Sequence, residues 1–301
     1  MKDLLDIVDL TPADLARVLD LATAWKRPGA QIPTPLSGQA VAMVFEKPSA
    51  RTRVSTEQAV VSLGGHPVPV RDEEVGIDRR ETAEDVARTL AAYCAVVAAR
   101  VREHRVLERM AAVVPVPVVN LLSDRAHPCQ ALADLLTLRE HLGHLEGRRL
   151  AFVGDGNNVA ASLVQAAALS GLEIVVASPP GYELDDEVVE RARNLGGTVE
   201  LVADPHEAVV GADAVYTDVW VSMGDEDETD LRRSAFRGWQ VDARLMDTAG
   251  PGAIFMHCLP AHRGEEVSAE VLEGPRSVVW QQAANRLHSV RALLAVLLEG
   301  R

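Results

Sequence analysis

The 301-residue chain is predicted to be an α/β protein with two doubly wound parallel-sheet domains joined by long helices. Short apolar runs alternate with segments of helical periodicity along its whole length. The runs are apolar at nearly every position, as in AVAMVF at 40–45, which is typical of parallel strands covered on both faces. The alternation starts again near Leu150 and so indicates a second sheet. The predicted domains are residues 1–135 with the C-terminal helix 285–301, and residues 136–284.

The first series of elements opens with a helix whose start is marked by Thr11 as the cap and Pro12 in the first turn. Gly64 and Gly65 mark the end of the second helix. The long helix after His127 is expected to connect the two domains. The expected strands are 39–45, 66–70, 95–100 and 116–122, and the expected helices are 11–25, 49–63, 82–94, 103–113 and 127–143.

The second series repeats the same order of strand and helix. Gly171 marks the end of its first helix, and the last helix of the chain is expected to cross back to the first domain. The expected strands are 149–156, 172–179, 198–204, 213–219 and 253–259, and the expected helices are 157–171, 185–196, 205–212 and 281–300.

The composition argues against several classes of protein. A formal net charge of −14 disfavours general binding to nucleic acid or to membrane surfaces, since both need a basic face. No apolar run reaches the roughly 18–20 residues of a spanning helix. The 3 cysteines suggest neither a disulfide framework nor a zinc site. The first residues lack the pattern of a secretory signal peptide, and we expect a cytoplasmic protein.

The segment PSARTR, residues 48–53, stands where a predicted strand gives way to a helix. Free amides and the dipole of a helix N-terminus bind anions there, and ligands of open α/β sheets bind at the carboxyl ends of strands. Ser49 and Thr52 add hydroxyl donors, and Arg51 adds a fork suited to phosphate or carboxylate. The alternative is that Ser49 only caps the helix and the arginines are solvated.

Two further strand ends carry polar residues. Arg100 ends one strand, while His127 and Gln130 follow another and open the next helix. Taken singly, Arg100 reads as a solvated arginine and His127 as a helix cap. Together with PSARTR, these residues predict a polar pocket for a compact anion that carries a carbonyl or amide group.

The second half offers three less specific segments. GDGNN at 154–158 lacks the third glycine of a dinucleotide fingerprint, so it indicates either a tight turn or asparagines that face a ligand. Asp218 ends a strand and is suited to a substrate ammonium, or alternatively to capping a loop. Cys258 in MHCLP is either a buried thiol or a reactive one.

In their order along the chain, these segments resemble those of the ornithine carbamoyltransferase family. The resemblance implies one domain for carbamoyl phosphate and one for the amine substrate, with no metal and no cofactor. It also implies a homotrimer, or a multiple of trimers, with each active site near a subunit interface. The segments that carry it are FEKPSARTR, Arg100, HPCQALADLLT, GDGNN, DVWVSMG, HCLP and NRLHSVRALL.

For carbamoyl phosphate, the resemblance implies that Arg100 bridges the phosphate and the carbonyl oxygen. His127 and Gln130 would hold the carbamoyl group, and Arg286 would approach the same substrate. The phosphate itself would be bound by side chains and backbone amides of the first motif, at Ser49, Ala50, Arg51 and Thr52.

For ornithine, the resemblance implies that Cys258 and Leu259 line the site where the two substrates meet. Arg51, Arg100, His127 and Cys258 are the implied catalytic residues. The α-amino and carboxylate end of ornithine would lie against Asn158, Asp218, Ser222 and Met223.

The implied reaction is transfer of the carbamoyl group to the δ-amino group of L-ornithine, giving L-citrulline and phosphate, by default in arginine biosynthesis. Five residues depart from the family's usual pattern: Ala50 for Thr, Glu74 for Gln, Ala284 for Glu, and Arg125 and Ala126 for Leu and Phe. The alternatives are a carbamoyltransferase for putrescine or an acylated ornithine, and a homologue that binds without turnover. Segment 72–81 is expected to reach the site of a neighbouring subunit.

Overall fold

The computed structural model describes residues 1–221 and 226–299. The chain divides into two compact units, residues 1–136 with 284–301, and residues 137–283. Each unit is built on one parallel sheet, with helices between successive strands. The predicted fold class is therefore confirmed. No helix in the described part of the chain is both long and apolar enough to cross a membrane.

The sheet of the first unit has four parallel strands in the order β2-β1-β3-β4. The strands are β1 Ala40–Phe45, β2 His66–Arg71, β3 Val96–Arg100 and β4 Val118–Leu122. The helices that precede β4 in the chain are α1 Pro12–Trp25, α2 Ala50–Ser62, α3 Asp72–Val75, α4 Ala83–Ala91 and α5 His104–Val113. A 3-10 turn spans Ile7–Asp9. Because β2 and β3 lie on opposite sides of β1, the direction of winding reverses between β1 and β3.

The sheet of the second unit has five parallel strands in the order β7-β6-β5-β8-β9. They are β5 Arg149–Val153, β6 Glu173–Ala177, β7 Val199–Val202, β8 Ala214–Thr217 and β9 Ile254–His257. The winding reverses here between β5 and β8, again beside the first strand of the sheet. Phe152 of β5 stacks on Tyr216 of β8 with ring centroids 5.6 Å apart, inside the core.

Two long helices belong to both units. They are α6 Pro128–Leu142 and α13 Val279–Leu298. The first unit ends within α6 at Leu136, and it resumes within α13 at Ala284. The predicted use of long helices to join the domains is confirmed by these two elements.

The remaining helices lie in the second unit. They are α7 Asn158–Ser170, α8 Asp186–Asn194, α9 Pro205–Val209, α10 Thr229–Ala235, α11 Ala243–Ala249 and α12 Ala269–Leu272, with a 3-10 turn at Glu226–Glu228. The sequence did not predict α3, α10, α11 or α12. Each has seven residues or fewer, and such short segments show too few turns for a helical period to be recognised.

Candidate active site

The winding of the first unit reverses where PSARTR follows β1. Ser49 caps α2, since its Oγ accepts from the backbone N–H of Thr52 at 3.4 Å and donates to Thr52 Oγ1 at 3.0 Å. Arg51 is exposed, whereas Arg53 is held by Glu57 one turn later. Capping is thus part of what Ser49 does, and it fixes the hydroxyl of Thr52 beside the start of the helix.

Arg286 of α13 contacts side chains at the start of α2 and at the start of α6. Its Nη1 donates to Gln130 Oε1 at 2.5 Å and lies 3.4 Å from His127 Nε2, while its Nη2 lies 3.4 Å from Thr52 Oγ1. All four side chains are buried. The carbonyl oxygen of Gln130 therefore helps to orient Arg286.

The charge of this cluster is positive. Arg100 and Arg286 are 7% and 5% exposed, and a buried cation is costly unless an anion or a set of acceptors compensates it. The pKa of His127 lies well below its usual value, first because the ring is buried and then because Arg286 and Arg100 repel a proton. His127 is therefore a neutral imidazole, and the two arginines supply the positive charge that an anionic ligand would meet.

The backbone around Arg100 is fixed by the neighbouring strands. The register between β3 and β4 shifts between Ala99 and Arg100, so a bulge turns the strand at the arginine. The carbonyl of Arg100 accepts from the N–H of Glu46 at 2.9 Å, and the carboxylate of Glu46 accepts from the N–H of Arg102 at 2.6 Å. These contacts hold Arg100 at the strand end where the sequence predicted it.

Asp134 is a buried member of this cluster that the sequence reasoning missed. Its Oδ1 accepts from Gln130 Nε2 at 2.7 Å, and its side chain has no exposure to solvent. The sequence does hold a signal, because a residue four positions after Gln130 on one helix faces the same side.

Segment 72–81 contains both hydrogen bonds and ion pairs of its own. Glu74 accepts from the N–H of Arg71 at 2.7 Å and so caps α3. Arg79 pairs with Asp72, and Arg80 donates to the carbonyl of Glu74 at 3.3 Å. Within the described residues, Asp72 and Glu81 are thus paired with arginines of this segment and Asp78 with Arg109 outside it, and the segment keeps a net negative charge. Its predicted reach to a neighbouring subunit stays a prediction.

In the second unit, Asp218 follows β8 at the point where the winding reverses. Asn157, which follows β5, donates from Nδ2 to Asp218 Oδ2 at 2.9 Å, and Cys258 Sγ donates to Asp218 Oδ1 at 2.9 Å. Asp218 is buried and Cys258 is half-buried. Cys258 follows β9. The carboxylate of Asp218 thus links the residues that follow β5, β8 and β9.

Asn157 has a second role besides its hydrogen bond to this carboxylate. Its Oδ1 also accepts from the N–H groups of Val159 and Ala160 at 2.9 and 3.2 Å, which caps α7. Asn158 is the first residue of α7 and is half-buried. The sequence analysis did not single out Asn157, although an asparagine just before the first helical residue is a typical cap. The predicted role of Asn158 at the substrate stays a prediction.

The ring of His257 is buried and engaged at both nitrogens. Nδ1 accepts from the backbone N–H of Leu259 at 2.8 Å, so Nε2 carries the hydrogen and donates it to Glu266 Oε1, with 3.1 Å between nitrogen and oxygen. The ligand atoms of Asp218, His257 and Cys258 lie within 4.8 Å of one another. A metal there would have to displace the Leu259 hydrogen bond to reach the lone pair of His257, so these side chains fit a metal poorly.

The glycines of GDGNN are explained by contacts within the chain. A Cβ at Gly156 would lie 2.4 Å from the backbone nitrogen of Leu184, and the N–H of Gly156 donates to the carbonyl of Tyr182 at 2.8 Å. Asp155 is paired with Arg232 at 2.9 Å. The tight-turn interpretation of this segment accounts for these residues without a dinucleotide.

The predicted substrate residues Ser222 and Met223 lie outside the described residues. Leu259 is half-buried and its peptide bond to Pro260 is cis. Ala50 is exposed at the first position of α2, where it offers a backbone amide but no hydroxyl.

Comparison with known proteins gives consistent matches over the chain. The model for the "Aspartate/ornithine carbamoyltransferase, carbamoyl-P binding domain" matches residues 2–140, and that for the "Asp/Orn binding domain" matches residues 146–297. An ornithine carbamoyltransferase of Acidothermus cellulolyticus is 53% identical over 97% of this chain and 95% of its own length. An anabolic ornithine carbamoyltransferase of Pyrococcus furiosus is 46% identical over 99% of this chain and 97% of its own length. The solved structure of an ornithine carbamoyltransferase from the latter organism is 46% identical, covers 100% of this chain and 98% of its own, and has a TM-score of 0.95.

Proposed function

This chain belongs to the aspartate/ornithine carbamoyltransferase family, and we propose on that premise that it transfers the carbamoyl group of carbamoyl phosphate to the δ-amino group of L-ornithine, giving L-citrulline and phosphate. The observation that carries the proposal is the match to ornithine carbamoyltransferases, 53% and 46% identical over 97% and 99% of the chain. Because one of these relatives is named anabolic, we assign the reaction to arginine biosynthesis.

We assign carbamoyl phosphate to the first domain, residues 1–135 with 285–301. A phosphate at the start of α2 would meet free backbone amides, including that of Ala50, and the favourable end of the helix dipole. Arg51 would add two parallel hydrogen bonds, and Ser49 and Thr52 would add hydroxyl donors. This arrangement would hold the charge of phosphate as it departs.

The carbonyl oxygen of carbamoyl phosphate gains negative charge when the amine attacks. We assign its stabilisation to Thr52, Arg100 and His127, with Arg286 close to the same group, and we assign the carbamoyl amide to Gln130. These side chains are buried, and fixed donors away from water stabilise a developing charge more strongly than water does. A neutral His127 suits this role, since it can donate a hydrogen bond without transferring a proton.

We assign ornithine to the second domain, residues 136–284. The carboxylate of Asp218 is suited to an ammonium group, and we propose Asn158, Ser222, Met223 and Leu259 as its neighbours around the substrate. The attacking amine must first lose a proton, because an alkylammonium has a pKa of roughly 10.4. Cys258, hydrogen-bonded to Asp218, would orient the amine. That first proton would leave to solvent. A second proton, lost from the same nitrogen as its bond to the carbonyl carbon forms and the bond from that carbon to the phosphate oxygen breaks, would pass to the departing phosphate, which becomes hydrogen phosphate.

The remaining parts of the proposal concern cofactors, the oligomeric state and the location in the cell. No metal and no cofactor enter the proposed reaction. We propose a homotrimer or a multiple of trimers located in the cytoplasm, and light scattering of the purified protein would measure the number of chains.

The proposal is tested by incubating the protein with carbamoyl phosphate and L-ornithine and measuring citrulline and phosphate. Equal yields of the two are expected. Arg51→Ala should abolish the reaction while leaving the circular dichroism spectrum unchanged, because the exposed guanidinium supports no packing. Arg53→Ala is the matched control, since Arg53 lies on the same helix and is engaged with Glu57. Near-normal turnover by Arg51→Ala would contradict the assignment of the phosphate site.

The same assay with other amines tests the choice of substrate. Putrescine and N-acetyl-ornithine are the informative comparisons, since each lacks one of the charged groups that ornithine presents. A ureido product from either of these and none from ornithine would overturn the proposal, and no product with any amine would favour a homologue that binds without turnover.

A further inference from the structure

The side-chain amide of Gln130 lies between two charged groups in the first unit. Its Nε2 donates to Asp134 Oδ1 at 2.7 Å, and its Oε1 accepts from Arg286 Nη1 at 2.5 Å. Gln130 is 2% exposed and Asp134 is 0% exposed. Water therefore cannot take the place of either partner without a rearrangement of the surrounding side chains.

These two partners fix the direction of the amide. An ionised carboxylate only accepts hydrogen bonds, and a guanidinium only donates them. If the amide were turned over, its NH₂ group would face Arg286 and its oxygen would face Asp134, and both hydrogen bonds would become repulsive contacts. The orientation of Gln130 thus follows from the chemistry of its neighbours.

The fixed orientation determines what Gln130 offers to a ligand. A carbonyl oxygen can accept two hydrogen bonds, and one of these comes from Arg286. The oxygen lies beside Thr52 and His127, which share Arg286 as a partner. Its second acceptor position suits a ligand that carries an N–H group next to a carbonyl.

We propose that Asp134 is a specificity-determining residue: by holding the NH₂ group of Gln130, it presents the Gln130 oxygen to the substrate and so selects a carbonyl that bears an NH₂ group over one that bears a methyl group. The inference rests on the proposed function, in which carbamoyl phosphate occupies this cluster. It assigns Asp134 a positioning role, since the residue acts through Gln130.

Asp134 is the more durable of the two anchors. A bound phosphate competes for the guanidinium of Arg286, because an arginine forms its strongest hydrogen bonds with anions. Once Arg286 turns to the ligand, Asp134 alone decides which end of the amide faces the substrate. The loss of the acceptor oxygen of Asp134 should therefore change the affinity for a ligand that carries an NH₂ group.

Two substrate analogues isolate the NH₂ group. Phosphonoacetamide and acetonylphosphonate share a phosphonate and a carbonyl, and they differ in carrying NH₂ or CH₃ on that carbonyl. Isothermal titration would give the dissociation constant of each. The unsubstituted protein should bind phosphonoacetamide about tenfold more tightly, as expected for one buried hydrogen bond.

Two substitutions separate the acceptor from the charge. Asp134→Leu removes the acceptor, and the dissociation constants of the two analogues should become about equal. Asp134→Asn removes the charge but keeps an oxygen that can accept from Gln130, so the preference should be retained. Asp85→Asn, which changes an exposed aspartate, is the control and should leave the preference unchanged.

Each outcome has a distinct meaning. Equal losses in Asp134→Asn and Asp134→Leu would overturn the inference, since a buried charge would then be what matters. Equal affinity of the unsubstituted protein for both analogues would also overturn it. Binding of neither analogue by the unsubstituted protein would instead contradict the proposed function.

A structure of the unsubstituted protein with phosphonoacetamide provides a second test that does not depend on a variant folding. The Asp134–Gln130 hydrogen bond should persist, with the Gln130 oxygen within about 3 Å of the ligand nitrogen. An amide nitrogen of Gln130 facing the ligand would refute the inference.

Discussion

The turn after β5 depends on Gly156, and Gly156→Ala should damage the second unit. A Cβ there would lie 2.4 Å from Leu184 N, 2.5 Å from Glu183 C and 2.6 Å from Glu183 O. All three are backbone atoms, so no rotation of a side chain relieves the contact. Segment 182–184 must move by about 1 Å to restore an ordinary separation, and this would stretch the hydrogen bond from Gly156 to Tyr182.

The expected cost is the sum of two effects. Overpacking of a rigid site costs about 1–3 kcal/mol, and the weakened backbone hydrogen bond adds about 0.5–1.5 kcal/mol. The free energy of unfolding of the second unit should therefore fall by about 1.5–4.5 kcal/mol. Urea denaturation would measure it through the fluorescence of Trp220 and Trp239, which are buried in this unit.

The substitution should also affect one substrate more than the other. Asn157 follows Gly156 directly and holds Asp218, so the KM for ornithine should rise while the KM for carbamoyl phosphate stays within about twofold. Gly252→Ala is the control, because a Cβ there would meet no heavy atom within 4 Å. Its stability should stay within about 0.5 kcal/mol. If Gly156→Ala unfolded like Gly252→Ala, the packing explanation of the glycine pattern would be wrong.

Two further predictions concern titrating groups. Arg109 holds the pKa of Glu84 at about 2 and also lowers that of Asp78. These carboxylates therefore stabilise the fold above about pH 4.5 and lose that effect as the pH falls toward 2. The melting temperature of Arg109→Met should lie below that of the unsubstituted protein at pH 7, and the difference between the two should disappear as the pH falls toward 2. Arg105→Met is the control and should show no such difference. A difference in melting temperature that does not depend on pH would refute the explanation. Burial raises the pKa of Cys129 to about 11, so iodoacetamide at pH 8 should alkylate the half-buried Cys258 well before Cys129, as peptide mass spectrometry would report; faster modification of Cys129 would contradict its burial.

The positions of the site residues could be predicted because they follow strand ends. In a parallel sheet all carboxyl ends lie at one edge, and the residues after β1 and β3, or after β5 and β8, meet where the winding reverses. Arg100 and Thr52 in the first unit and Asp218 in the second were found from this rule. The local sequence carries the information, because each residue lies within a few positions of an apolar strand.

Partners within the site were harder to predict, since they depend on distances across the fold. Nothing local indicates the hydrogen bond between Gln130 and Arg286, because the two residues are 156 positions apart in the chain. Asp134 reads as one polar position on an apolar helix, and Gly156 reads as part of an incomplete cofactor motif. The role of Gly156 depends on the backbone of segment 182–184, which lies close to it only in the folded chain. The role of Asp134 depends on the hydrogen bond between Gln130 and Arg286.

The hydrogen bond between Arg286 and Thr52 joins residues that are 234 positions apart in the chain. During synthesis on the ribosome, β1 to β4 and residues 137–278 of the second unit emerge before α13 does. Until then the first unit lacks its last helix, and the polar cluster lacks the guanidinium that joins Thr52, His127 and Gln130. The site is therefore completed only after residue 286 has emerged, so a nascent chain that stops between residues 283 and 286 would contain the second unit without being able to bind its anionic ligand.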